Sequence, residues 1–345
     1  MRQRAAPVAA RRRVHAVAAR RRVRVVAVAL CSGAALTAIP KQAHATKSKL
    51  PPQVGYNYQN IETPRVAAMG DALRAFSNSV SALFVNPANM AASRVYHLSA
   101  FGQIWPEAHR QSYGAAAVDS IVSSAHVAGG LGGTWTSQDP DGLGLTSTDL
   151  RFALAFPFSD RFYVGLGGRY LWLKQTGSAG PFDPSPASGG IRDKNIVRGF
   201  TFDAGATLKP MDGLALSIVG QNLNNPGNGF QPMSFGGGIG FGTHDFTLEG
   251  DALADFTTWD RTTVRAMGGF EFLAADHYPL RAGYRYDQGQ KSHGISAGVG
   301  YVDKVFSAEV AVRRTVVGPK ATTVVIGFTY HLESSGLTPS PSESF

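Results

Sequence analysis

The sequence is poor in cysteine and has no long hydrophobic run. Its one cysteine, Cys31, lies inside the N-terminal apolar stretch 25–39, so the rest of the chain has no thiol for a disulfide, a metal site or a nucleophile. The stretch 25–39 is too short for a spanning helix, which needs about 20 apolar residues. Acidic residues are absent before Ala45, whereas ten basic residues precede it.

Residues 1–45 have the composition of a cleaved signal peptide. A basic region precedes the apolar run, and Ala43, His44 and Ala45 form an A-x-A cleavage site. Removing this segment takes ten of the 33 basic residues and none of the 24 acidic ones, leaving 23 against 24. The net charge of +9 therefore belongs to the signal peptide. The mature chain has no basic excess with which to bind nucleic acid.

From Arg94 onward the sequence alternates with a period of two, as in Arg151 to Phe158, where apolar Phe152, Leu154 and Phe156 take every second position. The same test predicts fourteen strands: 93–104, 110–120, 124–137, 147–158, 160–175, 196–209, 213–222, 231–242, 244–255, 260–273, 277–287, 292–302, 304–315 and 320–332. Connections after even strands are short, and several after odd strands are longer. An even strand number with this asymmetry is typical of bacterial transmembrane barrels.

The face of each strand opposite the apolar one carries charges of both signs. If the apolar face meets lipid, these residues form a network in the lumen: Arg151, Arg169, Asp203, Glu249, Asp251, Arg265, Glu271, Arg281, Arg285, Glu309 and Arg313. A soluble β-sandwich or propeller is the alternative, because one polar face per sheet is expected there too. The signal peptide, the strand lengths and the aromatic residues near strand ends favour a membrane barrel.

Residues 63–92 are the one segment with a helical period. Val66, Met69, Leu73 and Phe76 follow spacings of three and four. A break is expected near residues 77–79. Asn86, Pro87 and Ala88 then predict a rigid corner, because proline keeps Asn86 out of the α region and suits the first position of a new turn. An ordinary surface helix and turn would have the same local pattern. The surrounding strands favour a helical hatch inside the barrel.

A helical segment ending in Asn86-Pro87-Ala88 ahead of fourteen strands resembles the FadL/PorV-type superfamily of outer-membrane proteins. Residues 65–71, 199–210 with 216–222, and 280–287 resemble it as well. The resemblance covers roughly Thr63 to Leu332. It implies an all-β membrane protein, a 14-stranded antiparallel transmembrane β-barrel with an N-terminal helical hatch in the lumen, located in the outer membrane of a Gram-negative bacterium. The expected order is signal peptide 1–45, periplasmic lead-in 46–62, hatch 63–92, barrel 93–332 and polar C-terminal tail 333–345.

Four glycines, Gly129, Gly130, Gly132 and Gly133, crowd the third strand. Interior glycine weakens strand pairing and marks a kink or a close approach of another backbone. The resemblance implies an inward kink here that opens the wall sideways. The alternative is that these glycines make room for the hatch.

No catalytic arrangement is evident. The histidines lack metal-ligand spacing and no serine lies in a G-x-S-x-G setting, so we expect no enzyme, no metal and no cofactor. The resemblance implies passive uptake of hydrophobic small molecules, to which the apolar loop residues Leu143, Leu145, Phe182 and Phe230 would contribute. Its alternative is a PorV-like structural or secretion-associated barrel that docks partner proteins and transports nothing, which the short external loops favour. The expected partners are outer-membrane lipid, a fatty acid or hydrocarbon ligand, or an envelope protein.

Overall fold

The computed structural model describes residues 46–48, 50, 52, 61–123, 126–138, 144–175 and 194–332. The predicted signal peptide, the C-terminal tail and the loop residues Leu143 and Phe182 lie outside these ranges. Within them, every helix is too short or too polar to cross a membrane.

Fourteen antiparallel strands form one closed barrel, as predicted. Each strand pairs with its neighbours in sequence, and the first pairs with the last. The strands are β1 (Tyr96–Trp105), β2 (Arg110–Asp119), β3 (Ala128–Gln138), β4 (Leu145–Ser159), β5 (Phe162–Gln175), β6 (Lys194–Met211), β7 (Leu214–Gln221), β8 (Ser234–Gly242), β9 (Phe246–Asp255), β10 (Thr263–Ala274), β11 (Tyr278–Asp287), β12 (Ser292–Val302), β13 (Phe306–Val317) and β14 (Thr322–His331). The start of β3 differs most from its prediction. It begins at Ala128 and not at residue 124.

The two ends of the barrel differ in their connections. Those after even strands span 120–127, 160–161, 212–213, 243–245, 275–277 and 303–305, and we call this the short-turn end. Those after odd strands span 106–109, 139–144, 176–193, 222–233, 256–262, 288–291 and 318–321, and we call this the long-loop end. The first connection at the long-loop end includes a 3₁₀ turn, Pro106–Ala108.

The barrel is apolar outside and polar inside. Large apolar side chains at alternate positions point outward, as at Leu131 (65% exposed), Leu166 (59%) and Ile326 (56%). Their neighbours in sequence face the lumen, where many charged side chains are buried. This inversion is the pattern of a barrel with lipid around it.

The segment 63–92, which we call the hatch, lies inside the barrel. It contains α1 (Pro64–Ala68), α2 (Ser79–Val85) and a 3₁₀ helix (Pro87–Ala92). The helix α1 contacts β11 to β14, α2 contacts β1 to β4, and the 3₁₀ helix contacts β3 to β6. The hatch therefore touches strands around most of the circumference. The break between α1 and α2 spans residues 69–78 and is wider than the predicted break at 77–79.

Residues 46–48, which precede the hatch, lie at the opposite end from the one expected. Ser48 N donates to the carbonyl oxygen of Thr257 (2.9 Å), Lys47 Nζ donates to that of Phe256 (2.8 Å), and Asn225 Nδ2 donates to that of Thr46 (3.3 Å). These partners belong to the long-loop end. The expectation of a periplasmic lead-in over 46–62 places this segment beside the short turns, whereas residues 46–48 contact the other end. A polar segment without a period contains no local indication of which end of a barrel it occupies.

Candidate functional site

Two carboxylates of β9 hold the central part of the hatch. Asp251 Oδ2 accepts hydrogen bonds from the first two backbone N–H groups of residues 73–76, and Glu249 accepts from the next two, at distances up to 3.0 Å. Glu249 and Asp251 lie two residues apart on one strand and so share its inner face. Gly238 on β8 leaves room for them, since a Cβ there would collide with Asp251 Oδ1. Four consecutive amides of the hatch thus find acceptors on the barrel wall.

Arg74 joins this anchor to Asp71. Its Nη1 lies 3.1 Å from Asp251 Oδ2 and 2.6 Å from the Asp71 carbonyl oxygen, and its Nη2 lies 3.4 Å from the Asp71 carboxylate. Burial by itself would raise the pKa of Asp71, but the charges of Arg74, Arg285 and Arg265 hold that pKa below its ordinary value. Asp71 is therefore ionised at neutral pH, and the arginines inside the lumen have a buried counter-charge.

A second anchor joins the first helix of the hatch to β10. Arg65 makes a bidentate pair with Glu271, with Nη2 to Oε1 at 2.8 Å and Nε to Oε2 at 3.0 Å. Glu271 is shared with Arg281, which also pairs with Glu309 at 2.7 Å. Arg65 Nη1 donates to Asn78 Oδ1 at 2.9 Å and so ties the two halves of the hatch together.

Glu62 forms a third anchor just before the hatch. Its carboxylate lies 2.5 Å from Arg313 Nη1 and 3.8 Å from Arg285 Nη1. Arg285 also lies 3.7 Å from Asp287. The sequence pattern predicted Arg285 and Arg313 as members of the lumen network, but it assigned Glu62 to the lead-in.

Three further predicted charges, Arg151, Arg169 and Asp203, lie on β4, β5 and β6. Asp149 bridges Arg151 (3.3 Å) and Arg169 (2.7 Å), and Arg151 Nη1 donates to the carbonyl oxygen of Phe84 in the hatch (3.1 Å). Asp203 instead accepts a hydrogen bond from the backbone of Asn222 at 2.7 Å. The structure thus distributes the charged residues over several clusters and not over one ring.

None of the eleven predicted lumen charges is exposed, and the structure places all of them on the inner face. Arg265 is buried and lines the same cavity as Arg74 and Asp71. The sequence analysis missed Asp149, although its position two residues before Arg151 puts it on the same strand face.

The Asn86-Pro87-Ala88 corner is fastened by amide side chains. Asn86 has an extended backbone (φ −149°, ψ 101°), and its Oδ1 accepts from Ala88 N at 3.2 Å, capping the 3₁₀ helix. Asn86 Nδ2 and Asn89 Nδ2 both donate to the carbonyl oxygen of Arg74, at 2.8 and 2.9 Å. The corner is therefore tied to the same turn that β9 holds.

The corner lies directly on the barrel wall where two glycines pair. Gly165 of β5 and Gly205 of β6 are opposite each other in the register. A Cβ on Gly165 would collide with the backbone nitrogen of Ala88, and one on Gly205 would collide with Asn86 Oδ1. This close backbone approach requires glycine. In the sequence, this close approach is indicated by one glycine in each of two neighbouring strands.

The glycines of β3 lie in a regular strand. β3 pairs with β2 from Gly129 to Gln138 and with β4 from Ala128 to Gln138, and neither ladder has a register shift. The predicted kink at Gly129, Gly130, Gly132 and Gly133 is therefore not visible as a break in pairing. A Cβ on Gly130 would lie 2.7 Å from Met90 Sδ, and one on Gly132 would lie 3.1 Å from Leu83 Cδ2, so these two glycines face the hatch. This contact favours the alternative interpretation, in which the glycines of β3 make room for the hatch.

The lumen also contains an apolar cluster near the long-loop end. Leu171 and Leu173 of β5, Val197 of β6 and Phe230 are buried together, and Leu50 and Ile196 pack against them. We call this the loop-end apolar cluster. Beside it lies a cavity of about 80 Å³ whose lining includes Phe230, Arg169 and Asp203. Charged and apolar surfaces therefore meet at one place inside the barrel.

One exposed group has the composition of metal ligands. His244, Asp245 and Asp276, from two connections at the short-turn end, bring one possible ligand atom each within 4.8 Å of one another. His244 Nδ1 lies 2.9 Å from Asp245 Oδ1, and this bond raises the pKa of His244. Asp276 Oδ1 lies 3.9 Å from the same His244 nitrogen.

No protein family model and no curated protein sequence matches the chain. Solved structures are similar to it. The toluene transporter TbuX of Ralstonia pickettii matches with a TM-score of 0.57 at 14% identity, over 78% of this chain and 98% of TbuX. A FadL homologue of Pseudomonas aeruginosa matches with 0.55 at 16% identity, over 80% and 99%. The toluene transporter TodX of Pseudomonas putida matches with 0.55 at 14% identity, over 82% and 99%. At these identities the likeness concerns the fold, and the chain has the fold of the FadL-type transporter barrels, as the resemblance in its sequence predicted.

Proposed function

We propose that this protein is an outer-membrane barrel for the passive uptake of small hydrophobic compounds, such as hydrocarbons or fatty acids. The observation that carries the proposal is the loop-end apolar cluster inside a barrel with the fold of TbuX and TodX, both described as toluene transporters. An apolar compound that reaches this cluster leaves water without losing hydrogen bonds, so the transfer is favourable.

The charges of the lumen suit this function better than ion conduction. Arg65, Glu271, Arg281 and Glu309 satisfy one another, and Arg74 is neutralised by Asp71 and Asp251. Ion-selective pores instead present rings of one sign to the permeating ion. These three arginines and four carboxylates fix the hatch and leave a formal charge of only −1 among themselves.

The described structure is closed at the loop-end apolar cluster. Ligand pockets usually have volumes of about 300–1,000 Å³, whereas the cavity behind the loop-end apolar cluster has about 80 Å³. The hatch or the covering loops must therefore move before a compound can pass.

Uptake by whole cells tests the proposal, because apolar compounds cross phospholipid freely and only the outer leaflet of an intact outer membrane holds them back. The barrel is expressed in a Gram-negative host that lacks its own hydrophobic uptake barrels, and accumulation of radiolabelled toluene and of a long-chain fatty acid is measured against a sugar. We expect faster accumulation of at least one apolar compound and no change for the sugar. Accumulation equal to that of the empty host, with folded barrel verified by heat-modifiable migration, contradicts the proposal.

A further inference from the structure

The wall of the barrel lacks a neighbouring strand beside residues 194–203 of β6, the half of this strand nearest the long-loop end. β6 is the longest strand with 18 residues, whereas β7 has eight. β6 pairs with β5 up to Lys194, but its pairing with β7 extends only from Met211 to Ala204. Among the described residues, no strand pairs with the other edge of β6 over 194–203. Unpaired backbone groups at this edge would be costly in lipid, so another part of the chain must cover them.

The connection 222–233 provides that cover, and it does so mostly with side chains. Leu223 N donates to the carbonyl oxygen of Phe202 at 2.8 Å. Asn224 bridges two positions of β6, with Nδ2 donating to the Phe200 carbonyl oxygen (2.8 Å) and Oδ1 accepting from Phe202 N (3.3 Å). Side-chain bonds of this kind can open without breaking a ladder between strands.

The inner side of the cover is held in the same way. Thr201 Oγ1 donates to Asn222 Oδ1 at 2.8 Å, and Asn222 N donates to Asp203 Oδ1 at 2.7 Å. Gln231 Nε2 donates to the carbonyl oxygen of Gly199 at 3.2 Å. The cover therefore contacts the β6 edge at both of its ends.

The cover separates the exterior from the lumen here, and residues 46–48 contact it through Asn225 and Gly229. On the outside, Phe202 (53% exposed), Phe200 (36%) and Leu223 (40%) form an apolar patch. On the inside, Asn222 and Phe230 of the same connection line the cavity, and Phe230 belongs to the loop-end apolar cluster. Apolar surface is thus present on both sides of the cover.

We propose that small hydrophobic compounds cross the wall between β6 and β7–β8 through a lateral portal, which residues 222–233 cover in the closed state. Opening costs the side-chain hydrogen bonds of the cover and the one backbone bond of Leu223, and it leaves the strand ladders intact. At β3, by contrast, ladders on both sides would have to break. The portal rests on the proposed uptake function and gives it a route that differs from the one expected at the third strand.

Disulfide cross-linking tests the portal, because the mature chain predicted to begin after Ala45 contains no cysteine. The double variant Thr201→Cys/Asn222→Cys joins the cover to β6, using two side chains that already touch. Ser112→Cys/Thr136→Cys closes the β2–β3 wall beside the predicted third-strand opening. Ser99→Cys/Thr329→Cys joins β1 and β14 as the matched control, in a part of the wall that neither route crosses. Uptake of the radiolabelled apolar compound is compared between oxidised cells and cells treated with reductant.

Oxidation of the Thr201/Asn222 pair is expected to abolish barrel-dependent uptake, and reduction is expected to restore it, whereas the other two pairs leave uptake unchanged. Wild-type uptake that persists through the oxidised Thr201/Asn222 cross-link overturns the portal and leaves the uptake function intact. Absence of uptake in the wild type overturns both.

If the Thr201/Asn222 cysteine variant does not fold into a barrel, a second variant tests the portal. Asn224→Ala removes two hydrogen bonds of the cover and should raise uptake about 30-fold, the population change expected for the loss of two ordinary hydrogen bonds. Asn195→Ala is its control, because Asn195 bonds only the outward-facing Trp172 among the contacts seen here. Equal uptake by the two alanine variants contradicts the portal.

Discussion

Replacing Asp251 by alanine should loosen the hatch without unfolding the barrel. Asp251 Oδ2 accepts from Leu73 N, Arg74 N and Arg74 Nη1, so the substitution removes three hydrogen bonds and leaves the buried Arg74 with Asp71 as its remaining partner in this cluster. Removing one member of a buried ion pair costs about 3–5 kcal/mol. Since about 1.4 kcal/mol corresponds to a factor of ten, the open population of the turn should rise on the order of 10²- to 10³-fold.

Hydrogen exchange measured by mass spectrometry on the detergent-solubilised barrel reports this opening, because exchange of the amides of residues 73–76 requires local release from β9. Asp251→Asn keeps an acceptor but loses the charge, so it should fall between the wild type and Asp251→Ala. Asp255→Ala is the matched control, since Asp255 is buried on the same strand and its bonds within the described part of the chain go to Thr257 and Thr258 and not to the hatch. Unchanged exchange at 73–76 in a folded Asp251→Ala barrel would refute the reasoning.

Three further results are expected. Deleting residues 63–92 should raise conductance in planar bilayers because the hatch fills the lumen; a large steady conductance of the intact protein would contradict this. Gly165→Val should displace the corner, since its Cβ would collide with Ala88 N, and trypsin should then cut the hatch faster than in Gly268→Val, whose Cβ meets open space. The pKa of Asp71 is held below 3.8 in the folded protein, so the stabilisation that its charge gives is present above pH 3.8 and is lost as the pH falls through the folded-state pKa. The urea midpoints of the wild type and of Asp71→Asn should therefore converge only in strong acid.

The strand number and the two faces of each strand could be predicted from the sequence, because they depend on a period of two residues, which a short window of sequence contains in full. The helical period predicted the helices of residues 63–92, whereas their position in the lumen was implied by the surrounding strands and by the resemblance to FadL/PorV-type barrels. The eleven lumen charges followed from the same alternation, because a residue at an even offset from an inward residue also points inward.

The partners of those charges could not be predicted in this way. Asp251 meets Arg74 across 177 positions of the chain, and Arg313 meets Glu62 across 251. Nothing near either residue in sequence selects its partner. Glu62 was missed because it precedes the helical period, although its charge is essential to the anchor.

The tertiary structure alone decided where the wall is weak. The sequence shows glycines in β3, but whether they bend a strand or admit a hatch depends on Met90 and Leu83, which pack against them from inside. It also shows a long sixth and a short seventh strand, but the uncovered edge of β6 appears only when their register is known. Alternation determines which way a side chain points, whereas register and closure determine what it meets.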